Sequence, residues 1–295
     1  LEWLNVWSKT IKTIKTIKTI KTMRTMRTMR TINELISLKG RSAVITGATG
    51  GLGKHMASTI VELGGNVILV DRPGSNYSTL LSKLKEGSTV DIQCVDCDLE
   101  SEESRGELIA RVNKDYSTGL DILINNAAFG GATDLDGWVT KFEDQSVETW
   151  RRAIEVNLTA AFDLSKGLSK TLGRNGRGSI INVSSIYGVN GPDHSLYEGT
   201  SMGNPAAYAA SKGGLIQLTR WLATTIAPDV RVNVISPGGV YRNQPKKFVK
   251  RYVAKTPLGR MAIEEDFKGV IAYLASDLSA YVTGQNIIVD GGWSV

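Results

Sequence analysis

This chain of 295 residues has two cysteines, two histidines and no long apolar run. Cys94 and Cys97 have C-x-x-C spacing, but zinc needs two further ligands, and neither His55 nor His194 lies at ligand spacing from them. No metal is expected, and the pair reads as core packing at the end of an apparent strand. Without a disulfide framework, the expected compartment is the reducing cytoplasm. No window holds the roughly 18 apolar residues of a membrane span, and the start lacks the apolar core of a signal peptide. A membrane partner is therefore not expected. Excess charge of one sign is also confined to one place. The net charge is +6, but residues 1 to 28 carry seven Lys/Arg and one acid, which leaves 28 basic and 28 acidic residues in 29 to 295. A neutral body argues against nucleic acid as a partner.

The basic start is a repeat. From Lys9 to Thr31 the chain cycles through Lys-Thr-Ile and then Arg-Thr-Met. A period of three matches neither helix nor strand, so no continuous apolar face forms, and no aromatic interleaves the basic residues to stack on bases. Residues 1–36 are read as a low-complexity basic extension, disordered or non-native, and 37–295 as one domain. That length and an apolar fraction of 41% suit a single large α/β domain.

Apolar runs and amphipathic stretches alternate along the domain. Ser42 to Gly53 reads SAVITGATGGLG, a short strand entering a turn with glycines at 47, 51 and 53. Such a turn lets backbone amides and a helix N-terminus approach a pyrophosphate. A helix over Leu52 to Leu63 and a strand over Asn66 to Val70 follow, and Asp71 falls 18 residues beyond Gly53. A carboxylate there can accept hydrogen bonds from an adenosine ribose and would repel a 2′-phosphate, which favours NAD; Arg72 beside it keeps NADP as the alternative. Further strands are expected over Thr89 to Val95 and Leu120 to Ile124, and helices from Ser101 to Tyr116 and from Glu264 to Ala275. A strand over Asn286 to Val289 closes the series. The expected fold is α/β, a doubly wound parallel sheet with helices on both faces and its ligand crevice at the strands' carboxyl ends, where Gly47, Asp71, Asp98 and Asn125 fall.

Downstream lies a proton-transfer pair. Tyr208 and Lys212 stand four apart, one helical turn, so an ammonium can sit beside a phenol and favour its ionised form. Two serines, Ser184 and Ser185, close an apolar run upstream, and on a strand neighbouring side chains point to opposite faces, so only one can meet the substrate.

The motifs TGATGGLG at 46–53, NNAA at 125–128, VNL at 156–158, NVSS at 182–185, YAASK at 208–212 and SPGGV at 236–240 resemble the short-chain dehydrogenase/reductase family across Leu38 to Val295. Ala128 departs from the family's usual glycine. The resemblance implies a Rossmann-like sheet of about seven strands and an NAD(P)-dependent oxidoreductase. It implies Tyr208 as general acid/base, Lys212 as the group that lowers its pKa and contacts the nicotinamide ribose, Ser185 as the hydroxyl polarising the substrate carbonyl, and Asn157 as the holder of a relay water. The cofactor residues it implies are Gly47, Thr49, Gly51, Leu52, Gly53, Asp71, Arg72, Asp98, Leu99, Asn125, Ala127, Pro237, Gly238 and Val240, besides Tyr208 and Lys212. It also implies a homo-oligomer, dimer or tetramer, in which the C-terminal end carrying Trp293 packs on a neighbour.

Ser185 and Tyr208 are 23 residues apart, more than the family's usual gap, and the surplus falls in Asn190 to Pro205. That insertion leaves and returns within the active site, and Tyr197, Glu198 and Thr200 offer polar groups suited to a sugar-like substrate. Beyond Gly238, Arg242, Asn243 and Gln244 are candidate substrate contacts, and the basic run Arg242, Lys246, Lys247, Lys250 and Arg251 suits a phosphate or nucleotide-linked sugar. The YEGTSM and SPGGVYRNQP runs resemble a narrower group, the oxidoreductases of bacterial flagellin-modification and nonulosonate-sugar pathways. Two other functions fit the motifs less fully: an epimerase working through transient oxidation, and a dinucleotide-binding regulator without catalysis.

Overall fold

The computed structural model describes residues 29–130 and 133–295. The chain divides into two compact units, Leu1–Leu35 and Ile36–Val295. Most of the triplet repeat lies outside the described residues.

In the second unit, seven apolar runs form one parallel sheet: β1 Ser42–Thr46, β2 Asn66–Asp71, β3 Ile92–Asp96, β4 Ile122–Asn125, β5 Gly178–Val183, β6 Val230–Pro237 and β7 Asn286–Val289, in the order β3-β2-β1-β4-β5-β6-β7. Parallel neighbours need crossovers, and the helices that provide them cover both faces. The helices are α1 Gly51–Glu62, α2 Ser78–Lys85, α3 Glu102–Asp115, α4 Val147–Ile154, α5 Ala160–Gly173, α6 Ala206–Thr225, α7 Lys246–Ala254 and α8 Lys268–Ala275. The pleat divides the strand residues between two cores. Ala43, Ile45, Val67 and Leu69 pack with α1, α2 and α8, while Val44, Ile68 and Val70 face α3, α5 and α6. All five residues of β1 are buried, which is why its sequence runs apolar without alternation.

Several boundaries differ from the sequence reading for local reasons. β3 starts at Ile92 because pairing begins opposite Val67. Ser101 stands outside its helix as the N-cap, its hydroxyl accepting the Ser104 amide at 3.2 Å. The expected helix from Glu264 opens as a 3-10 turn, Glu264–Phe267, before α8. Cys97 is buried in a core cluster and Cys94 packs at the edge of the other; burial raises both thiols above their ordinary pKa.

β1 has β2 on one side and β4 on the other, and the chain order reverses there. A crevice opens at this switch point, outside the carboxyl ends of the strands. The loops that follow Thr46, Asp71, Asp96 and Asn125 all leave the sheet along this edge.

Candidate active site

The first element of the crevice is the turn between β1 and α1. Gly47 has φ of 63°, a left-handed backbone, and a Cβ there would lie 2.9 Å from the Ala127 Cα. A Cβ on Gly53 would sit 2.1 Å from the Gly47 carbonyl oxygen. Glycine at these positions lets β1, α1 and the loop after β4 close on one another. α1 has no side-chain cap on its N-cap residue, Gly50, so the amides of its first turn remain to meet an anion. These features fit the diphosphate of a dinucleotide.

Asp71 ends β2 at the rim of the turn. Its carboxylate accepts the Thr49 amide and hydroxyl, both at 2.8 Å, the Arg72 amide at 2.9 Å and the Ser75 hydroxyl at 3.3 Å. The acid thus links the glycine turn to the loop after β2, and a ribose hydroxyl would join this set. Asp98 is exposed, its carboxylate accepting the Glu100 amide, and the Leu99 carbonyl accepts from Arg105. Asn125 turns inward: its amide donates to Asn182 at 2.9 Å and to Ser165 at 3.3 Å, leaving Oδ1 buried without a partner. Its side chain serves the sheet interior, so only its backbone remains for a crevice ligand.

The tyrosine–lysine pair stands on α6, as the spacing required. Lys212 is buried, donates from Nζ to the Val183 carbonyl at 2.6 Å, and lies 5.8 Å from the Tyr208 ring centroid. Burial lowers its ammonium pKa to about 8. For the phenol of Tyr208, burial raises the pKa above the ordinary value, while the Ser185 hydroxyl and the Arg242 charge pull it down. The Lys212 nitrogen is directed at a main-chain carbonyl.

The serines also differ from a simple strand pair, because β5 ends at Val183. Ser184 is buried and donates to the Lys212 carbonyl at 2.8 Å, tying α6 to the end of the sheet. Ser185 opens a 3-10 turn, accepts the Tyr187 amide at 3.2 Å and hydrogen-bonds to Tyr208. One serine is structural and the other faces the phenol. Asn157 lies in a π-helical turn, Glu155–Thr159, which breaks the run from α4 into α5. Its side chain grips the Phe129 amide at 2.8 Å and carbonyl at 3.2 Å, and donates to Ser211 at 3.1 Å. It joins the loop after β4 to α6, one residue from Lys212.

The insertion is ordered by contacts the sequence concealed. Asp193 pairs with Lys255, and Arg251 Nη1 donates to the Glu198 carbonyl at 2.5 Å, so α7 and the residue that follows it hold both ends of the 3-10 turn His194–Tyr197. Arg251 is therefore committed to the fold and unavailable as an anion site. The Tyr197 hydroxyl donates to the Tyr187 hydroxyl at 2.6 Å, and its ring packs 5.4 Å from Phe248. Thr200 is satisfied locally, donating to the Tyr197 carbonyl at 2.7 Å. Trp293 stacks on Tyr252 at 5.7 Å within the same aromatic cluster. The loop after β6 is pinned as well: Tyr252 Oη accepts the Gly239 amide at 2.5 Å, and a Cβ on Gly238 would lie 2.8 Å from the Asp290 Cα. Val240 bridges Ala262 beyond it.

Three residues that shape the site escaped the sequence reading. Thr46 Oγ1 accepts the amides of Asn126 and Ala127 at 3.0 and 3.1 Å, and Asn126 Nδ2 donates to the Thr46 and Gly47 carbonyls at 2.9 and 3.1 Å. The second asparagine of NNAA was the available signal. Gly188 allows close approach, since a Cβ there would lie 2.7 Å from the Lys212 carbonyl carbon. Nothing local in the sequence marks that contact.

A doubly wound parallel sheet with a glycine turn at its switch point, and a Ser–Tyr–Lys group beside it, defines a dinucleotide-dependent oxidoreductase. A family model described as enoyl-(acyl carrier protein) reductase matches residues 47–294. The chain belongs to the short-chain dehydrogenase/reductase family of NAD(P)-dependent oxidoreductases. It is 34% identical over 265 residues to the 3-oxoacyl-(acyl-carrier-protein) reductase FabG of Rickettsia felis, an alignment covering 88% of this chain and 98% of the relative. Among solved structures it resembles the NADPH-dependent 3-quinuclidinone reductase of Rhodotorula rubra, with TM-score 0.78 and 29% identity over 90% of this chain and 96% of the other. It also resembles an NAD+-bound xylitol dehydrogenase, with TM-score 0.75 and 28% identity over 86% and 99%. Among the described residues, no helix is long and apolar enough to cross a membrane.

Proposed function

We propose that this enzyme moves a hydride between nicotinamide and a hydroxyl or carbonyl carbon of a sugar-like substrate that carries phosphate or a nucleotide, in the synthesis of surface glycans. The observation that carries the reaction class is the convergence of Ser185, Tyr208 and Lys212 beside the glycine turn. Bound nicotinamide supplies or accepts the hydride. Tyr208 gives the proton to the substrate oxygen in reduction, or takes it in oxidation, and Ser185 donates a hydrogen bond to the same oxygen. Lys212 would hold the nicotinamide ribose, and its charge would add to that of the oxidised ring in making the phenol a better acid. Asn157 orders the loop after β4 and carries the relay water between Lys212 and solvent.

NAD is the proposed cofactor, with NADP as the alternative; the carboxylate of Asp71 at the ribose edge supports this choice. A phosphorylated substrate is supported by an open hollow of about 300 Å³ whose lining includes Lys246, Lys250 and Gln244 beside Tyr241, Val249 and Val253. The phenols of Tyr187 and Tyr197, close enough to Tyr208 for their charges to interact, would form the insertion's side of the pocket. A cytoplasmic homo-oligomer is proposed with this reading, and the exposed rings of Trp150, Phe162 and Trp221 support an interface on α4, α5 and α6.

A screen of sugar phosphates and nucleotide sugars, beside a 3-oxoacyl thioester, tests the substrate class through the absorbance of reduced nicotinamide. Turnover of the thioester alone would refute the sugar assignment. Tyr208→Phe tests the mechanism. It should lose about 10²-fold or more in turnover while binding dinucleotide within about twofold of wild type; retained activity would refute the role of the phenol.

A further inference from the structure

Gly51 is the first residue of α1, and its φ is not positive, so its backbone does not call for glycine. Space does. A Cβ at Gly51 would lie 2.5 Å from Arg242 Nη2, 2.8 Å from Cζ and 3.0 Å from Glu264 Oε1. The guanidinium of a residue nearly two hundred positions away therefore rests against the uncapped start of the helix, where the sheet's switch point opens.

Arg242 is built into that place. Asn243 takes a left-handed backbone with φ of 58°, uncommon outside glycine, and Gln244 staples the bend: its Oε1 accepts the Arg242 amide and its Nε2 donates to the Val240 carbonyl, both at 2.7 Å. Asn243 and Gln244 thereby shape the loop that carries Arg242. At the far end of the side chain, Nε donates to Glu264 Oε1 at 3.1 Å. Glu264 in turn opens the 3-10 turn that precedes α8, which is fixed by the bidentate pairing of Arg260 with Asp266 at 2.7 Å and by the Ile263 amide on Asp266 at 2.8 Å. Nη1 and Nη2 of Arg242 have no hydrogen-bond partner among the described residues. A half-exposed ion pair adds little to stability, so the pair explains the aim of the fork better than it explains the fold.

We propose that Arg242 clamps the diphosphate of the dinucleotide against the N-terminus of α1, and that Glu264 is the positioning residue that turns its two terminal nitrogens toward that anion. Helix amides and a planar guanidinium fork converge on one point, and both are suited to phosphate oxygens. The proposal rests on the reading that a nicotinamide dinucleotide binds in this crevice. It moves Arg242 from the substrate to the cofactor, and it gives the enzyme a cation whose field also reaches Tyr208.

Calorimetric titration with ADP-ribose, which carries the diphosphate without nicotinamide, tests it on wild type, Arg242→Ala, Arg242→Lys and Glu264→Gln, with adenosine as the ligand lacking phosphate. Arg242→Ala should weaken ADP-ribose about tenfold or more, and Arg242→Lys should recover part of the loss. Glu264→Gln should cost less than Arg242→Ala, while adenosine binds all four alike. Circular dichroism confirms that the exposed substitutions leave the fold intact. Arg242→Ala binding ADP-ribose within about twofold of wild type would overturn the clamp alone, as would an equal loss for adenosine. A wild type that binds neither ADP-ribose nor NAD would overturn the proposed reaction, and the clamp with it.

Discussion

Replacing Lys212 by methionine keeps the length of the side chain and removes its charge. Lys212 is 2% exposed, and burial lowers its pKa from 10.5 to about 8. Between these values the unfolded chain holds a proton that the folded chain has released, so stability rises with pH through this window, and the penalty for burying the ammonium is fully present below it. At about 1.4 kcal/mol for each pKa unit, the penalty is about 3 kcal/mol near pH 7 and falls to about 1.4 kcal/mol near pH 9.5. Methionine pays none of it. It does lose the hydrogen bond to the Val183 carbonyl, which costs about 1–3 kcal/mol at either pH. The net effect at neutral pH is thus a small difference between two terms, while the change with pH isolates the charge. Urea unfolding of both proteins at the two pH values should show the variant losing about 2 kcal/mol relative to wild type as the pH rises. A difference that stays flat would mean that Lys212 titrates at its ordinary pKa, and the argument from burial would fail. The cost also says something about function. A lysine held against such a penalty has its use in the reaction rather than in the fold.

Two further outcomes are expected. Asp71→Ala should narrow the preference for NAD over NADP in equilibrium binding, because the carboxylate that accepts from Thr49 is the group a 2′-phosphate would meet; a wild type that prefers NADP would overturn the assignment. Ser184→Ala leaves the Lys212 carbonyl without its 2.8 Å donor at a buried site and should cost about 1–3 kcal/mol. At about 2–4 °C for each kcal/mol, thermal unfolding should register it clearly, and an unchanged midpoint would show that Ser184 does not secure α6.

Much of this molecule was legible in its residues. Strands buried on both faces must run apolar, so β1, β2 and β4 appeared within a residue or two of their positions, and the edge strand β7 was marked by its short apolar run. The glycine turn was readable from its place after a strand, although Gly47 and Gly53 are required by the close approach of β1, α1 and the loop after β4, and Asp71 was readable from its distance along the chain. A helix has a fixed period, and it alone put Tyr208 and Lys212 on one face.

Other features depended on contacts between segments remote in sequence. Spacing brought the ammonium and phenol together but could not say that Lys212 would point at Val183, or that Ser185 and Arg242 would also act on the phenol. The insertion looked like a polar pocket wall. The Leu196 and Glu198 carbonyls and Asp193 are in fact spent on Arg251 and Lys255. Trp293 looked exposed until the C-terminal segment folded against Tyr252. Local sequence fixes what a residue can do within one helical turn or one strand, because bonding geometry sets those distances. Which charge meets which partner is decided by packing, because burial and proximity exist only once the sheet has brought distant loops to one edge.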